Sequence, residues 1–321
     1  MNRKVLIALA TTGMLGAQLA PQALAADTVM RVSHQLPPRH HIAQIIDAWA
    51  QDIEKRSNGS IDVQVFGANQ LFKPRENFPA VAKGDAECAL SVNFQWGKTI
   101  PEMNVTLRPY SVTDLAVLRK WPGSEPAGQL EAMLEKKGVR NVVWLFTTNM
   151  SAITSNGKFL KAPDDFKGIK IRGLNALVDS GLRAMGAAPA SMPGSQVYQA
   201  LQTGVIDAGL TDVSAAYSRK YYEVQDHAVA TPMFSVFFHG YCNPRWLDGL
   251  SAEQRAAVEA ASAAAAEAAV AKTESAASEA PDQLRAKGMK VHIHTPAETA
   301  AFKAAMLPAF DAEFDKSTGG A

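Results

Sequence analysis

Apolar and polar positions first alternate at Thr28–Ser33, where Val29 and Arg31 oppose Met30 and Val32, and this period of two predicts a strand. From His40 to Asn58 the period lengthens. Ile42, Ile45, Ile46, Trp49 and Ile53 recur at helical spacing, and Asn58-Gly59 supplies the stop. Ile61, Val63 and Val65 predict a second strand. Pro74–Lys83 reads as a helix closed by Gly84, and Ala86–Val92 as a third strand. The β-α-β-α-β order is that of a doubly wound sheet. Asn93, Phe94, Gln95 and Trp96 follow the third strand, where such a sheet places its cleft.

Further along, Gly128–Gly138 predicts a charged helix and Asn141–Thr147 a strand. Helices follow over Ala176–Met185, Ser195–Thr203 and Asp212–Tyr222, with a strand at Val205–Leu210. Thr231–Tyr241 predicts one long aromatic strand, and Val291–His294 a short one. Ser251–Glu279 predicts an alanine-rich helix about 43 Å long. Ser251 and Gln254 form a capping box at its start, and Pro281 is its expected stop. Thr295-Pro296-Ala297-Glu298 opens a last helix with Phe302, Met306, Phe310 and Phe314 on its core stripe, and Ser317–Ala321 is expected to be a disordered tail.

A short internal repeat bears on the architecture. Ala80-Val81-Ala82-Lys83-Gly84-Asp85-Ala86-Glu87 matches Ala200-Leu201-Gln202-Thr203-Gly204-Val205-Ile206-Asp207 in plan: a helix end, a glycine stop, then an acid. Two halves built alike predict two facing α/β lobes, with the small polar run Thr147–Ser151 as a crossing between them.

Arg3 and Lys4, the apolar stretch after them and Ala23-Leu24-Ala25 have the form of a secretory leader, with Ala26 as the mature start. The whole chain has 32 basic and 31 acidic residues, so without Arg3 and Lys4 it is close to neutral and no basic tract survives. That argues against nucleic acid or an anionic membrane surface as partner. Two cysteines, Cys88 and Cys242, permit one bridge or two buried thiols, and the sequence leaves the choice open. No Gly-x-Ser-x-Gly elbow or His-Glu-x-x-His helix is present, so an enzyme is not the first reading. His40-His41 and His292/His294 form pairs without a third ligand, which gives no case for a metal. No cofactor is expected.

The candidate chemistry lies in Lys167-Gly168-Ile169-Lys170-Ile171-Arg172-Gly173. The alternation predicts a half-buried strand with Arg172 at its carboxyl end, pointing away from the isoleucines. A guanidinium at that place suits a carboxylate or phosphate.

Asp164-Asp165-Phe166-Lys167-Gly168-Ile169-Lys170-Ile171-Arg172, Val197-Tyr198-Gln199-Ala200-Leu201-Gln202-Thr203-Gly204-Val205-Ile206-Asp207 and Tyr222-Glu223-Val224-Gln225, with the leader and the long late helix, resemble the extracytoplasmic solute-binding proteins of TRAP (tripartite ATP-independent periplasmic) transporters, the DctP family. The resemblance implies the type II periplasmic binding fold, two α/β lobes around a central cleft with a long helix spanning both. It places a leader at residues 1–25, lobe I at 26–148 plus about 240–265, lobe II at 149–239 plus about 266–321, and the connecting helix at about 251–280. It implies a periplasmic monomer that captures a small organic acid for a small and a large permease subunit driven by sodium, without nucleic acid. Arg172 takes the role of carboxylate anchor. The second arginine of sialic-acid-binding relatives aligns with Ser151, the asparagine of many relatives with Thr211, and a frequent glycine with Ala208. The expected ligand therefore has one anionic group, with Gln35, Gln95, Trp96, Asn149, Ser151, Asn175, Thr211, Asp212 and Phe237 as the other binding candidates. Asp207 is expected to be structural.

Overall fold

The computed structural model describes residues 28–320; the leader lies outside them. Eleven strands follow in chain order: β1 (Thr28–Ser33), β2 (Ile61–Phe66), β3 (Cys88–Val92), β4 (Arg140–Thr148), β5 (Ser151–Ser155), β6 (Lys170–Gly173), β7 (Ala188–Ser191), β8 (Gly209–Asp212), β9 (His227–Thr231), β10 (Val236–Cys242) and β11 (Lys290–Ile293). The first sheet has the order β2-β1-β3-β10-β4, and the second β11-β9-β5-β8. A parallel bridge between Ile171 and Ala208 joins β8 to the pair β6-β7. The second lobe thus runs β7-β6-β8-β5-β9-β11, repeating the plan of the first, with one antiparallel strand inserted beside β3 or β8.

The internal repeat marks this symmetry. Gly84 and Gly204 both end a helical segment at positive φ, 92° and 71°. The acid that follows each ties down the neighbouring strand. Glu87 receives the Arg31 guanidinium of β1 in a two-pronged pair at 2.8 Å, and Asp207 accepts the backbone N–H of Lys170 at 3.0 Å, as its structural reading requires. The strand after Gly204 starts only at Gly209, however; Val205 is 61 % exposed and lies outside the sheet.

The chain crosses between sheets three times, twice by short segments and once along the helix Ala252–Ala286, which lies between β10 and β11. β4 and β5 are joined through Asn149 and Met150, as the polar run predicts. The aromatic segment returns as two strands rather than one, because β9 ends at Thr231 and β10 begins at Val236. Residues 236–239 therefore belong to the first sheet, and the second crossing occupies 232–235, earlier than the expected boundary at 239/240.

The long helix, Ala252–Ala286, has 35 residues and spans about 52 Å. Its capping box forms, but Pro281 lies inside it rather than at its end. Leu284, fully buried in the second lobe's core, holds the turn beyond the proline. Small residues Ala257, Ala261, Ala265 and Ala269 line its buried face and let helix His41–Arg56 and β4 pack closely. The last helix, Pro296–Thr318, buries Phe302, Met306 and Phe310 and continues through the expected tail to a left-handed Gly319. Pro74 falls before the second helix, which begins at Asn77.

Cys88 and Cys242 stand opposite one another in β3 and β10 and are bonded. The bond closes a loop of 154 residues, which removes much freedom from the unfolded chain. A C88S/C242S variant is expected to lose about 2–5 kcal/mol in urea unfolding. A loss under about 0.5 kcal/mol would show that the sheet holds this register without the bond.

Candidate functional site

A cavity sits where the two crossing segments pass between the sheets. The carboxyl ends of the parallel strands point into it: Gln35 after β1, Val92 and Phe94 at β3, Arg172 and Leu174 at β6, and Leu210, Thr211 and Asp212 in β8. Thr147, Thr148 and Ser151 come from the first crossing, and Phe234, Val236 and Phe238 from the second. Its volume, measured to the centres of water-sized molecules, is ≈ 50 Å³. One water needs about 10–15 Å³ on this measure, so the space fits a compact solute.

Arg172 is 3 % exposed. Its strand is not half-buried as the alternation predicts: Ile171 packs into the core, and the opposite face is covered at the cleft. The guanidinium donates from Nη1 to the Leu210 carbonyl at 2.7 Å and from Nε to the Met192 carbonyl at 3.2 Å. These bonds fix the plane and leave donors for a ligand. Burial, above all, pushes its pKa down to about 10, so it stays charged at neutral pH.

Arg219 is the second cation, and sequence reasoning missed it. It stands at the C-cap of the helix Val213–Ser218, two turns after Asp212 and so on the same side; that spacing was the available signal. Its Nη1 reaches the Thr211 hydroxyl at 3.4 Å, and its buried Nε has no partner. Its guanidinium lies against Gly194, where an added Cβ would come 2.5 Å from Nη1. Among the described residues, neither Arg172 nor Arg219 forms an ion pair.

His40 completes the polar wall, also unforeseen as a binding residue. Its Nδ1 accepts the Ile42 N–H at 3.2 Å, capping helix His41–Arg56 and leaving Nε2 to carry the proton. Burial first, then the nearby His41, Arg219 and His34, hold its pKa well below the usual range, so it is neutral. Asp212 caps the helix Val213–Ser218 through Ser214 and Ala215 N–H groups. Burial pushes its carboxyl up to about 6 against those bonds.

Of the sequence-predicted residues, Gln35, Ser151, Arg172, Thr211 and Asp212 meet in this cavity. Gln95, Trp96 and Asn175 do not. They line a separate, larger cavity of ≈ 730 Å³ that shares Phe94 and Leu174 with the first. Asn175 has no capacity left for a ligand there. Its Oδ1 caps Leu177 and Val178, and its Nδ2 donates to the Phe94 carbonyl and to Asn104, tying the two lobes together. Asn149, in the β4–β5 turn, lines neither cavity. Phe237 faces the opposite side of β10, packed against Trp121, Trp144 and Phe146, because its neighbours Val236 and Phe238 take the cavity side.

His292 and His294 are likewise engaged, with Glu298 at 2.8 Å and with the Thr231 hydroxyl at 3.1 Å. Among the described residues no three His, Cys, Asp or Glu side chains converge on a metal-sized site.

Two like-built lobes closing over a small cationic cavity define a receptor for a small solute. Residues 32–317 match the family described as bacterial extracellular solute-binding protein, family 7 (DctP), and the chain belongs to it. It is 31 % identical over 320 residues to the C4-dicarboxylate-binding periplasmic protein DctP of Rhodobacter capsulatus, covering 97 % of this chain and 94 % of that one. It is 28 % identical to the 2,3-diketo-L-gulonate-binding periplasmic protein YiaO of Escherichia coli, over 65 % of this chain and 64 % of that one. A crystal structure of a TRAP periplasmic solute-binding protein from Sulfurospirillum deleyianum with bound succinate superposes with a TM-score of 0.84 at 25 % identity, covering 92 % and 96 % of the two chains. Another, from Desulfovibrio salexigens with bound orotic acid, shares the fold with a TM-score of 0.85 at 22 % identity, over 91 % and 94 %.

Gly194→Ala is expected to displace the Arg219 guanidinium while changing stability by less than about 1 kcal/mol, since the flexible end of one side chain can withdraw. A crystal structure and a urea melt of the variant check both parts. A guanidinium in its original place would show that Gly194 does not set its position.

Proposed function

We propose that this protein is the periplasmic receptor of a TRAP transporter and that it captures a small organic acid between Arg172 and Arg219. The observation that carries the reading is a pair of guanidinium groups, neither in an ion pair among the described residues, facing one cavity between the lobes. A buried charge left unpaired is costly, and a ligand carboxylate supplies the missing partner. Two cations replace the single anchor expected from Ser151, so a ligand with a second acidic or acceptor group fits better than a simple monoanion. Thr211, Ser151, Gln35 and neutral His40 supply hydrogen bonds, and Phe94, Phe234 and Phe238 exclude water.

The lobes, divided in the chain near residues 149–150 and 232–235, close by hinge bending about these crossing segments. The Cys88–Cys242 bond fits an oxidising compartment, and among the described residues no helix is long and apolar enough to cross a membrane. Delivery is to a small and a large permease subunit. The protein acts as a monomer without a cofactor, and binding without turnover separates this role from an enzyme's.

A thermal-shift screen of small organic acids against matched neutral analogues tests the reading. A ligand at 100 times its Kd adds about 2.7 kcal/mol of stability. Shifts confined to acids support the proposal; shifts with neutral solutes alone refute it. Arg172→Ala is expected to weaken binding of the selected acid by about 2–5 kcal/mol, the penalty for removing one member of a buried charged contact. Calorimetry that finds less than a threefold loss would remove Arg172 as the anchor.

A further inference from the structure

Asp212 is wired from the cavity wall to the long helix. Its Oδ1 meets the Ser214 hydroxyl at 2.5 Å, and that hydroxyl meets His41 Nδ1 at 3.0 Å. His41 Nε2 meets the Thr273 hydroxyl at 3.0 Å, which donates to the Phe146 carbonyl at 2.7 Å. His41 opens the helix that packs on β2, Ser214 follows β8, and Thr273 belongs to the long helix. The relay therefore joins both lobes and the strut, and it is whole only when the lobes are together.

Counting hydrogens along it gives a definite result. The four links need four hydrogens. Ser214, Thr273 and a neutral His41 supply one each, while an ionised Asp212 and the Phe146 carbonyl supply none. The closed relay is one proton short. It is complete with His41 doubly protonated or with Asp212 as a neutral acid. We propose that the His41–Ser214–Asp212 relay takes up one proton as the lobes close on a ligand, so that Asp212, its acid hydrogen held by the Ser214 hydroxyl, faces the ligand uncharged. The proton comes from solvent and returns to it on opening. This rests on the carboxylate reading above, and it adds a reason for Asp212 to stand in an anion site: as a neutral acid it does not repel the ligand.

The surroundings place the proton. Burial raises Asp212 to about 6, while burial and then Lys272 lower His41 to about 4, with the Thr147 carbonyl acting the other way. Facing Asp212 are Thr148, Ser214, Arg172, Arg219 and His40. Facing His41 are Lys272 and Glu279 of the long helix, Tyr217 of the helix after β8, Arg39 and the stacked ring of His40. The carboxyl is the better seat.

Calorimetry of the whole mature protein with succinate, L-pyroglutamate and D-glucuronate, in buffers of different protonation heat between pH 6 and 8, tests the proposal. The expected result is uptake approaching one proton per ligand toward the acid end. Apparent Kd rises with pH by up to about tenfold per unit across the same window in which the proton is taken up, and levels off above it. His41→Gln and Ser214→Ala, whose side chains lie outside the ligand cavity, are expected to lose the uptake and flatten the pH profile, with folding checked by circular dichroism. A merely structural role would lower affinity and leave the proton count alone. Binding with no proton uptake, with release (the sign that burying His40 would give), or with uptake unchanged in both variants overturns the relay. No binding of any of the three acids overturns the carboxylate reading beneath it, a distinct failure.

Discussion

The structure depends on two positive charges being held at one cavity, neither in direct contact with a carboxylate among the described residues. Arg172 and Arg219 approach one cavity from different elements, and like charges there oppose each other. The fold tolerates this because each guanidinium is fixed by uncharged oxygen atoms: Arg172 by two backbone carbonyls, Arg219 by a hydroxyl above a glycine. Carbonyl dipoles hold a cation in place without neutralising it, so its attraction for an incoming anion survives. The cavity walls come from strand ends of both sheets and from the two short segments that pass between them.

Much of the fold was legible in the sequence because its signals are local. The helix His41–Arg56, both capping boxes and the glycine stops depend on residues within a few positions of one another. The repeat at 80–87 and 200–207 carried the two-lobed plan. Failures came where tertiary contacts outweighed a local signal. Pro281 should end a helix, yet burial of Leu284 continues it. Val205 resembles the start of a strand, yet Asp207 is used to hold β6, and pairing begins at the Ala208 bridge with the strand proper at Gly209.

The site was less legible. Arg172 could be read because strand alternation and motif agreed. Gln95, Trp96 and Asn175 were placed correctly near a cleft but in the neighbouring cavity, since position after a strand does not say which way a side chain turns. Phe237 shows the same limit at the scale of one residue: a pleat offset decides between cavity and core, and the break at 232–235 sets that offset. Arg219 lay seven residues from Asp212 and drew no notice because a lone arginine on a short helix has many surface explanations.

The bond between Cys88 and Cys242 has a consequence for motion. It anchors the far end of the returning strand to the first sheet, so that strand cannot slide along its neighbours when the lobes separate. Displacement must then be taken up in torsion angles at 149–150 and 232–235, with the long helix bending to follow, and the second lobe turns as a door on two pins instead of gliding as a drawer. The axis through those pins passes beside the cavity, where a small rotation opens a wide mouth while the walls nearest the axis hardly move.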